Sequence, residues 1–229
     1  MNDPQPNNEL TVTDLNKSFP TADEPLQVLK NLSLELSGGD SVAIVGPSGS
    51  GKSTLLQILG TLDHPDSGQV MIDGVDPFKL DEKKLAAFRN QKIGFVFQDH
   101  HLLPQLTVIE NVLVPAIADG KPSKDDLQRA TDLIDSIGLS DRLGHLPSEL
   151  SGGERERVAI ARSLLMNPTL ILADEPTGNL DRTTADAVTD LLIELQQSQG
   201  AILITVTHSD ALAAAMNRRL ELVDGQLVG

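Results

Sequence analysis

Short runs of consecutive apolar residues recur along the chain, without the alternation of polar and apolar positions that marks a strand with one exposed face. The clearest runs are Val42–Val45, Leu170–Ala173 and Ala201–Val206, all rich in valine, isoleucine or leucine. Such runs are typical of strands that are buried on both faces of a parallel sheet covered by helices. The pattern therefore predicts an α/β protein.

Two earlier segments have a different pattern. Leu10–Leu15 and Val28–Leu36 mix polar and apolar residues in partial alternation, and the second is followed by the turn signal Gly38-Gly39-Asp40. Partial alternation is expected of strands with one face in the core and one in water. We therefore predict an antiparallel β layer in the N-terminal part of the chain.

Helical spacing of apolar residues dominates the middle of the chain. Val108–Ala118, Ser123–Ile137 and Glu154–Met166 show it, and no strand pattern interrupts them. A further long helix is predicted at Asp181–Gln199, where Gly200 ends the pattern. We expect one domain over residues 1–229, in which residues 105–166 form an inserted α-helical subdomain. The α/β core with the β layer is expected in residues 1–104 and 167–229.

Composition narrows the possible functions mainly by exclusion. The 229 residues carry a formal net charge of -15, and so lack the overall basic character of a nucleic-acid binder. The absence of cysteine is compatible with a reducing compartment such as the cytoplasm. Met1–Leu10 is polar and does not resemble a secretory signal. No apolar run approaches the roughly 20 residues of a membrane span, so we expect any membrane role to act through a partner.

A glycine-rich loop follows the apolar strand Ser41–Val45 and precedes the helical stretch Leu55–Leu59. This strand–loop–helix context is that of a P-loop, whose backbone N–H groups and helix start bind phosphate oxygens. Lys52 is expected to reach the β and γ phosphates of ATP, and Ser53 to offer its hydroxyl to Mg²⁺. The loop, called the P-loop below, consists of Gly46, Pro47, Ser48, Gly49, Ser50, Gly51, Lys52, Ser53 and Thr54.

The P-loop alone leaves the fate of the γ phosphate open. A chance match of a glycine-rich turn is improbable at this length, on the order of one per cent from average residue usage. A small P-loop kinase fits the loop as well as an ATPase does, because the loop only binds the phosphates. Residues beyond the P-loop must decide between transfer and hydrolysis.

Two adjacent carboxylates follow the apolar run Leu170–Ala173. Asp174 is expected in the Mg²⁺ shell, and Glu175 is placed to polarise an attacking water as general base. The carboxyl ends of strands in open α/β sheets are where ligands bind. The alternative is an acid pair that merely precedes a helix. Two adjacent acids after a P-loop favour a hydrolase over a nucleotide-binding scaffold.

A second helix start with the chemistry of an anion site lies at Ser151, Gly152, Gly153 and Glu154. Taken alone, it could be an ordinary capped helix. Together with the P-loop and the acid pair, it resembles the signature motif of the ATP-binding cassette (ABC) family. The resemblance covers nearly the whole chain and implies a RecA-like P-loop NTPase core. It also implies a head-to-tail dimer, in which each signature contacts the γ phosphate bound by the partner's P-loop.

The resemblance also assigns roles to single residues. It implies that Gln98 is the Q-loop residue, which senses Mg²⁺ and water and couples to the membrane subunit. Asp181, in Asn179-Leu180-Asp181, is then the D-loop aspartate, and His208 the histidine that holds the γ phosphate. Phe19 stands where the family commonly has an aromatic residue that stacks on adenine.

Other stretches resemble the lipoprotein-releasing branch of the family, among them Arg89–Gln98 and Pro147–Ile160. Relatives in macrolide or peptide export and in cell division share part of this similarity, and a soluble ABC ATPase is a further alternative. The resemblance implies an ATPase bound to integral membrane permease subunits, at the cytoplasmic face of the inner (plasma) membrane. His100 and His101 are expected on the surface near that partner.

The signature region departs from the commonest family pattern at two positions. Glu154 and Glu156 stand where many members have glutamine. Acids are favoured in the first turn of a helix, which suits Glu154. We expect both residues to add negative charge near the helix start that faces the neighbour's phosphate.

Overall fold

A six-stranded, mostly parallel sheet forms the centre of the computed structural model, which describes residues 8–21, 24–118 and 120–229. The strands in these residues are β1 (Glu9–Phe19), β2 (Leu26–Ser37), β3 (Ser41–Val45), β4 (Ser67–Ile72), β5 (Ile93–Phe97), β6 (Leu170–Asp174), β7 (Ile202–Val206), β8 (Arg218–Val223) and β9 (Gln226–Val228). The α-helices are α1 (Lys52–Leu59), α2 (Glu82–Lys92), α3 (Val108–Ala118), α4 (Lys124–Ser136), α5 (Gly152–Leu164), α6 (Arg182–Gln199) and α7 (Asp210–Ala215).

The central sheet has the strand order β5-β6-β7-β3-β8-β9. All neighbours are parallel except β9, which runs antiparallel to β8. Every residue of β3 and β7 is buried, as the unalternating apolar runs predicted. Parallel alignment brings the carboxyl ends of β3, β6 and β7 to one edge of the sheet. The P-loop, the two acids and His208 all follow these ends.

The predicted antiparallel layer is a separate three-stranded sheet with the order β2-β1-β4. Leu10 pairs with Leu36 and Val12 with Leu34, which places the apolar positions of both strands on one face. That face packs with α1 and one side of the central sheet in a shared core. Strand β4 was not predicted from the sequence, because it is short and three of its six residues are exposed.

The helices α3, α4 and α5 cover part of the other side of the central sheet. Each of the three helices contributes to one buried hydrophobic cluster, through Val112 of α3, Ile134 of α4 and Ile160 of α5. The same cluster contains Ile171 of β6 and Leu203 of β7. The described residues between 105 and 166 contain no strand, as the helical spacing predicted. The fold thus includes the expected helical insertion, while its exact bounds at residues 105 and 166 stay a prediction.

The boundaries of α4 follow from its capping residues. The Oγ of Ser123 accepts a hydrogen bond from the backbone N–H of Asp126 at 3.1 Å, and the Asp126 carboxylate accepts one from the Ser123 N–H at 2.7 Å. This reciprocal pair is a capping box. Gly138 follows the helix with φ +70°, a left-handed conformation that ends it without strain.

The described part of the chain has no helix with both the length and the apolar character needed to cross a membrane. Residues 1–7, which make up most of the polar opening segment, lie outside the described residues.

Candidate nucleotide-binding site

The P-loop curls tightly between β3 and α1. Gly51 has φ +101°, and a Cβ at this position would lie 2.7 Å from Cγ1 of Val28, so both the conformation and the space require glycine. The Lys52 ammonium donates hydrogen bonds of 2.9 Å to the carbonyls of Gly46 and Pro47. The lysine therefore lies inside the curl of the loop, on the path that a bound phosphate chain would follow.

The predicted catalytic residues surround one cavity of about 420 Å³ at the carboxyl edge of the central sheet. It brings together parts of the chain more than 150 residues apart, as expected of loops that follow parallel strands. The cavity is lined by Val28, Ser48, Gly49, Gly51, Lys52, Ser53, Thr54, Gln98, Asp174, Glu175, Val206 and His208. The signature residues and Asp181 do not line it.

The two acids have different surroundings within this cavity. Asp174 is partly buried, and burial together with the neighbouring Glu175 charge raises the pKa of its carboxyl, against the opposing effect of Lys52. Glu175 has φ +48°, a left-handed backbone that is uncommon for this residue type. Its Oε1 lies 3.7 Å from Nε2 of His208 and accepts no hydrogen bond from any described residue. The second acid thus has a buried carboxylate oxygen without a hydrogen-bond partner beside the histidine.

Thr207 holds the other oxygen of Glu175 and was not predicted. It is fully buried, and its Oγ1 donates a hydrogen bond of 3.1 Å to Oε2 of Glu175. The same oxygen accepts a hydrogen bond of 2.9 Å from the backbone N–H of Ser209. A threonine at the end of a buried apolar run is common, so the sequence does not mark Thr207 as functional. It reaches Glu175 only because β6 and β7 are neighbours in the sheet.

Gln98 connects the cavity to the predicted D-loop through contacts with Asn179. Its side-chain amide donates to Oδ1 of Asn179 at 3.4 Å, and the Asn179 amide donates to the Gln98 carbonyl at 3.2 Å. Asp181 is the N-cap of α6, and its carboxylate accepts a hydrogen bond of 3.2 Å from the Thr184 N–H. The predicted Q-loop residue Gln98 and the predicted D-loop residue Asp181 therefore lie on two touching segments.

The signature segment forms the start of α5. Ser151 and Glu154 make a capping box, in which the Glu154 carboxylate accepts from the Ser151 N–H at 2.8 Å. Hydrogen bonds from Ser151, with a smaller contribution from Arg142, lower the pKa of the Glu154 carboxyl. Gly153 packs so closely on α6 that a Cβ would lie 2.3 Å from Cγ2 of Thr184. A side chain at position 153 would therefore force Thr184 of the same chain to shift, whatever this glycine contacts in a partner.

Glu156 does not face the helix start, contrary to expectation. It is fully buried, and its carboxylate lies 2.5 Å from Nδ1 of His100, which is also buried, whereas His101 is exposed. Residues two apart on a helix point in nearly opposite directions, so Glu156 points inward where Glu154 points outward. Burial raises the pKa of the Glu156 carboxyl, opposed by His100 and Arg162. The expectation of a surface His100 was also wrong, because this pair draws it into the core.

Phe19 lies at the end of β1 and is 38% exposed. The Lys17 ammonium lies over the Phe19 ring, 5.1 Å from its centroid. This is a cation–π contact on one face of the ring. Phe19 does not line the cavity of the P-loop. Its assignment to adenine stacking stays a prediction.

Comparison with known proteins places the chain in a family. Residues 29–178 match the ABC transporter family. The lipoprotein-releasing system ATP-binding protein LolD 1 of Rhodopirellula baltica is 68% identical over 219 residues, which cover 96% of each chain. LolD of Syntrophus aciditrophicus is 50% identical over 219 residues, covering 96% of this chain and 98% of that one. The chain belongs to the ABC transporter family.

Solved structures agree with this assignment. The dimeric post-hydrolysis structure of the ATP-binding cassette MJ0796, bound to ADP and Pi, matches with a TM-score of 0.85 and 40% sequence identity. The match covers 96% of this chain and 97% of that one. The predicted α/β fold with a mostly parallel sheet and an antiparallel β layer is confirmed, and the chain is an ATPase cassette of the family.

Proposed function

We propose that this chain is the ATP-hydrolysing motor subunit of a transporter of the lipoprotein-releasing type. The observation that carries the proposal is the single cavity in which the P-loop, Gln98, both acids and His208 meet. The transport class rests on the similarity to LolD 1 of Rhodopirellula baltica and LolD of Syntrophus aciditrophicus, which extends over almost the entire length of both chains. The subunit would act at the cytoplasmic face of the inner membrane.

The cavity fits ATP with Mg²⁺. Ser53 has an exposed hydroxyl, and Gln98 and Asp174 add an amide and a carboxylate oxygen, which are hard donors of the kind that Mg²⁺ prefers. Bound there, Mg²⁺ would supply positive charge to neutralise the phosphates. Lys52 and the backbone N–H groups of the P-loop would hold the same phosphates from the opposite side.

Hydrolysis needs a base and a group that holds the γ phosphate. Glu175 offers its unpaired Oε1 to accept a proton from water, while Thr207 keeps the other carboxylate oxygen in place. His208 lies beside that free oxygen and is exposed towards the cavity, so it can contact the γ phosphate. The three residues form a base that Thr207 orients, next to an exposed histidine that can contact the phosphate.

The chain supplies only half of each hydrolytic site in this proposal. Ser151–Glu154 form a phosphate-binding helix start that does not line the chain's own cavity. In a head-to-tail dimer, each signature would cover the ATP held by the other copy. The dimeric structure of the related cassette MJ0796 bound to ADP and Pi supports this arrangement.

The proposed permease contact is an apolar groove next to Gln98. A cavity of about 480 Å³ lies among β5, α2, α3 and α5 and is lined by Phe95, Phe97, Pro115 and Met166, with Arg162 at one side. A short segment of a membrane subunit would bury apolar side chains there. Such a contact lies directly beside the Q-loop, so closure of the dimer would move the partner.

The transport class is tested by identifying the partner and its cargo. The tagged chain, purified from its own bacterium in mild detergent, is expected to bring down an integral membrane permease. The complex in proteoliposomes is expected to release membrane-bound lipoproteins only with ATP and Mg²⁺. Release of a macrolide or a peptide instead would reject the lipoprotein assignment, and a chain that binds no membrane protein would reject a transport role.

A further inference from the structure

The pair formed by His100 and Glu156 connects two segments that are 56 residues apart in sequence. Nδ1 of His100 lies 2.5 Å from Oε2 of Glu156, and both side chains are buried. The remaining oxygen, Oε1, accepts no hydrogen bond from any residue in the described ranges. Burying a carboxylate with only one of its oxygens bonded is costly, so packing alone does not explain a glutamate at this position.

The turn that carries His100 is held to α5 at a second point. Arg162 donates hydrogen bonds to the carbonyls of His100 at 2.6 Å and His101 at 2.7 Å. The two histidines have φ values of +59° and +47°, which are uncommon for residues other than glycine. The turn is therefore fixed in an unusual shape by two side chains of α5, Glu156 near its start and Arg162 near its end.

The two ends of this connection lie next to functional segments. Glu156 is two residues beyond the signature residue Glu154 on the same helix, and His100 is two residues beyond Gln98. Gln98 in turn lines the nucleotide cavity and contacts Asn179. A displacement of the start of α5 would reach Gln98 through the Glu156–His100 contact and the short stretch of backbone between His100 and Gln98.

We propose that His100 and Glu156 are a positioning pair that fixes Gln98 relative to the signature helix through their hydrogen bond. The inference rests on the proposed role of Gln98 at the Mg²⁺ site. The direction of the bond follows the tautomer of His100, and glutamine keeps both an acceptor oxygen and a donor amide at position 156. A side chain of the same volume without a polar end group leaves the turn held to α5 by Arg162 alone, so the turn and Gln98 are less firmly positioned.

Glu156→Met and Glu156→Gln form a matched pair for the test, because both keep the volume and only the second keeps the acceptor. The ATPase activity of the full chain is measured against ATP and Mg²⁺ concentration, with ATP binding measured separately without Mg²⁺. Glu156→Met should lower kcat by about fivefold or more and raise the half-saturating Mg²⁺ concentration several-fold. For Glu156→Gln, kcat and the half-saturating Mg²⁺ concentration should both stay within about twofold of the wild-type values. ATP affinity without Mg²⁺ should stay unchanged in both variants.

His100→Asn tests the pair from the other side and serves if Glu156→Met does not fold. Asparagine tolerates the left-handed backbone at this position and is too short to reach the carboxylate. It should repeat the Mg²⁺ and kcat effects, and the double variant should be no worse than the more impaired single variant. Glu194→Gln, on the exposed side of α6, controls for the loss of a carboxylate elsewhere.

Gln98→Ala separates failure of the inference from failure of the proposed function. If Gln98→Ala changes the Mg²⁺ dependence but Glu156→Met and His100→Asn do not, the positioning role is wrong. If Glu156→Met and His100→Asn both lower thermal stability but leave kcat and the Mg²⁺ dependence unchanged, the pair is only structural and the inference is overturned. If Gln98→Ala itself leaves Mg²⁺ dependence unchanged, the proposed role of Gln98 fails, and the inference fails with it.

Discussion

Thr207 donates a hydrogen bond of 3.1 Å from its buried hydroxyl to the carboxylate of Glu175. The bond leaves one oxygen of the proposed base fixed and the other free beside His208. A carboxylate that is held by one oxygen keeps a single orientation towards the cavity. The relation between these residues yields the first prediction.

Thr207→Val keeps the shape of the side chain and removes the hydroxyl. We expect kcat to fall by about tenfold, on the scale of a lost hydrogen bond to a charged group, with little change in ATP affinity. Thr207→Ser should keep most of the activity because it keeps the donor. Steady-state kinetics of both variants check this. A Thr207→Val enzyme with wild-type kcat would show that Glu175 is oriented by other means.

Gly153→Ala is expected to destabilise the protein through a clash within the chain. The added Cβ would lie 2.3 Å from Cγ2 of Thr184, and overpacking of this kind costs roughly 1–3 kcal/mol. Thr184→Ser removes that methyl group while keeping the hydroxyl that bonds Asp181. The double variant should therefore recover part of the loss in denaturant unfolding. Equal destabilisation with and without Thr184→Ser would contradict the packing argument.

The capping box of α5 predicts a specific dependence of stability on pH. Hydrogen bonds from Ser151 lower the pKa of Glu154 from its ordinary value of 4.5, so its ionised form is favoured in the folded protein. The resulting stability is present above pH 4.5 and is lost as the pH falls through the lowered pKa. Glu154→Gln should thus destabilise the protein at neutral pH by roughly 0.3–1 kcal/mol, discounted for partial exposure.

Denaturant unfolding of the wild type and of Glu154→Gln, from neutral pH to below pH 4.5, checks the Glu154 prediction. The difference between wild type and Glu154→Gln should begin to shrink below pH 4.5, where the carboxylate of the unfolded protein takes up a proton, and should be lost as the pH falls through the lowered pKa of Glu154 in the folded protein. Glu194→Gln on the exposed surface of α6 serves as the matched control. A difference that stays constant from neutral to acid pH would mean that the charge of Glu154 does not stabilise α5.

Elements of the fold could be predicted best where they depend on residues that are close together in the sequence. The buried runs of β6 and β7 and the strand–loop–helix context of the P-loop are local patterns, and all were predicted at nearly their observed positions. Strand β4 and helix α2 were missed, because one is half exposed and the other has no buried residue. Their polarity hides the periodicity on which prediction depends.

The site was predictable as a set of residues but not as a geometry. Thr207 and the inward direction of Glu156 depend on distant segments that approach only in the folded chain. The position of Glu156 two residues after Glu154 could have indicated opposite helix faces from spacing alone. The partner of Glu156 could not have been found that way, since His100 lies in a turn with no periodic pattern.

The central claim is that two copies of the chain complete each hydrolytic site and that Glu175 is the base. The most direct measurement is ATP turnover together with sedimentation of Glu175→Gln in ATP and Mg²⁺. We expect an ATP-dependent dimer with turnover reduced by about a hundredfold or more, because binding is kept and the base is lost. A Glu175→Gln protein that stays monomeric and hydrolyses ATP at nearly the wild-type rate would contradict the account.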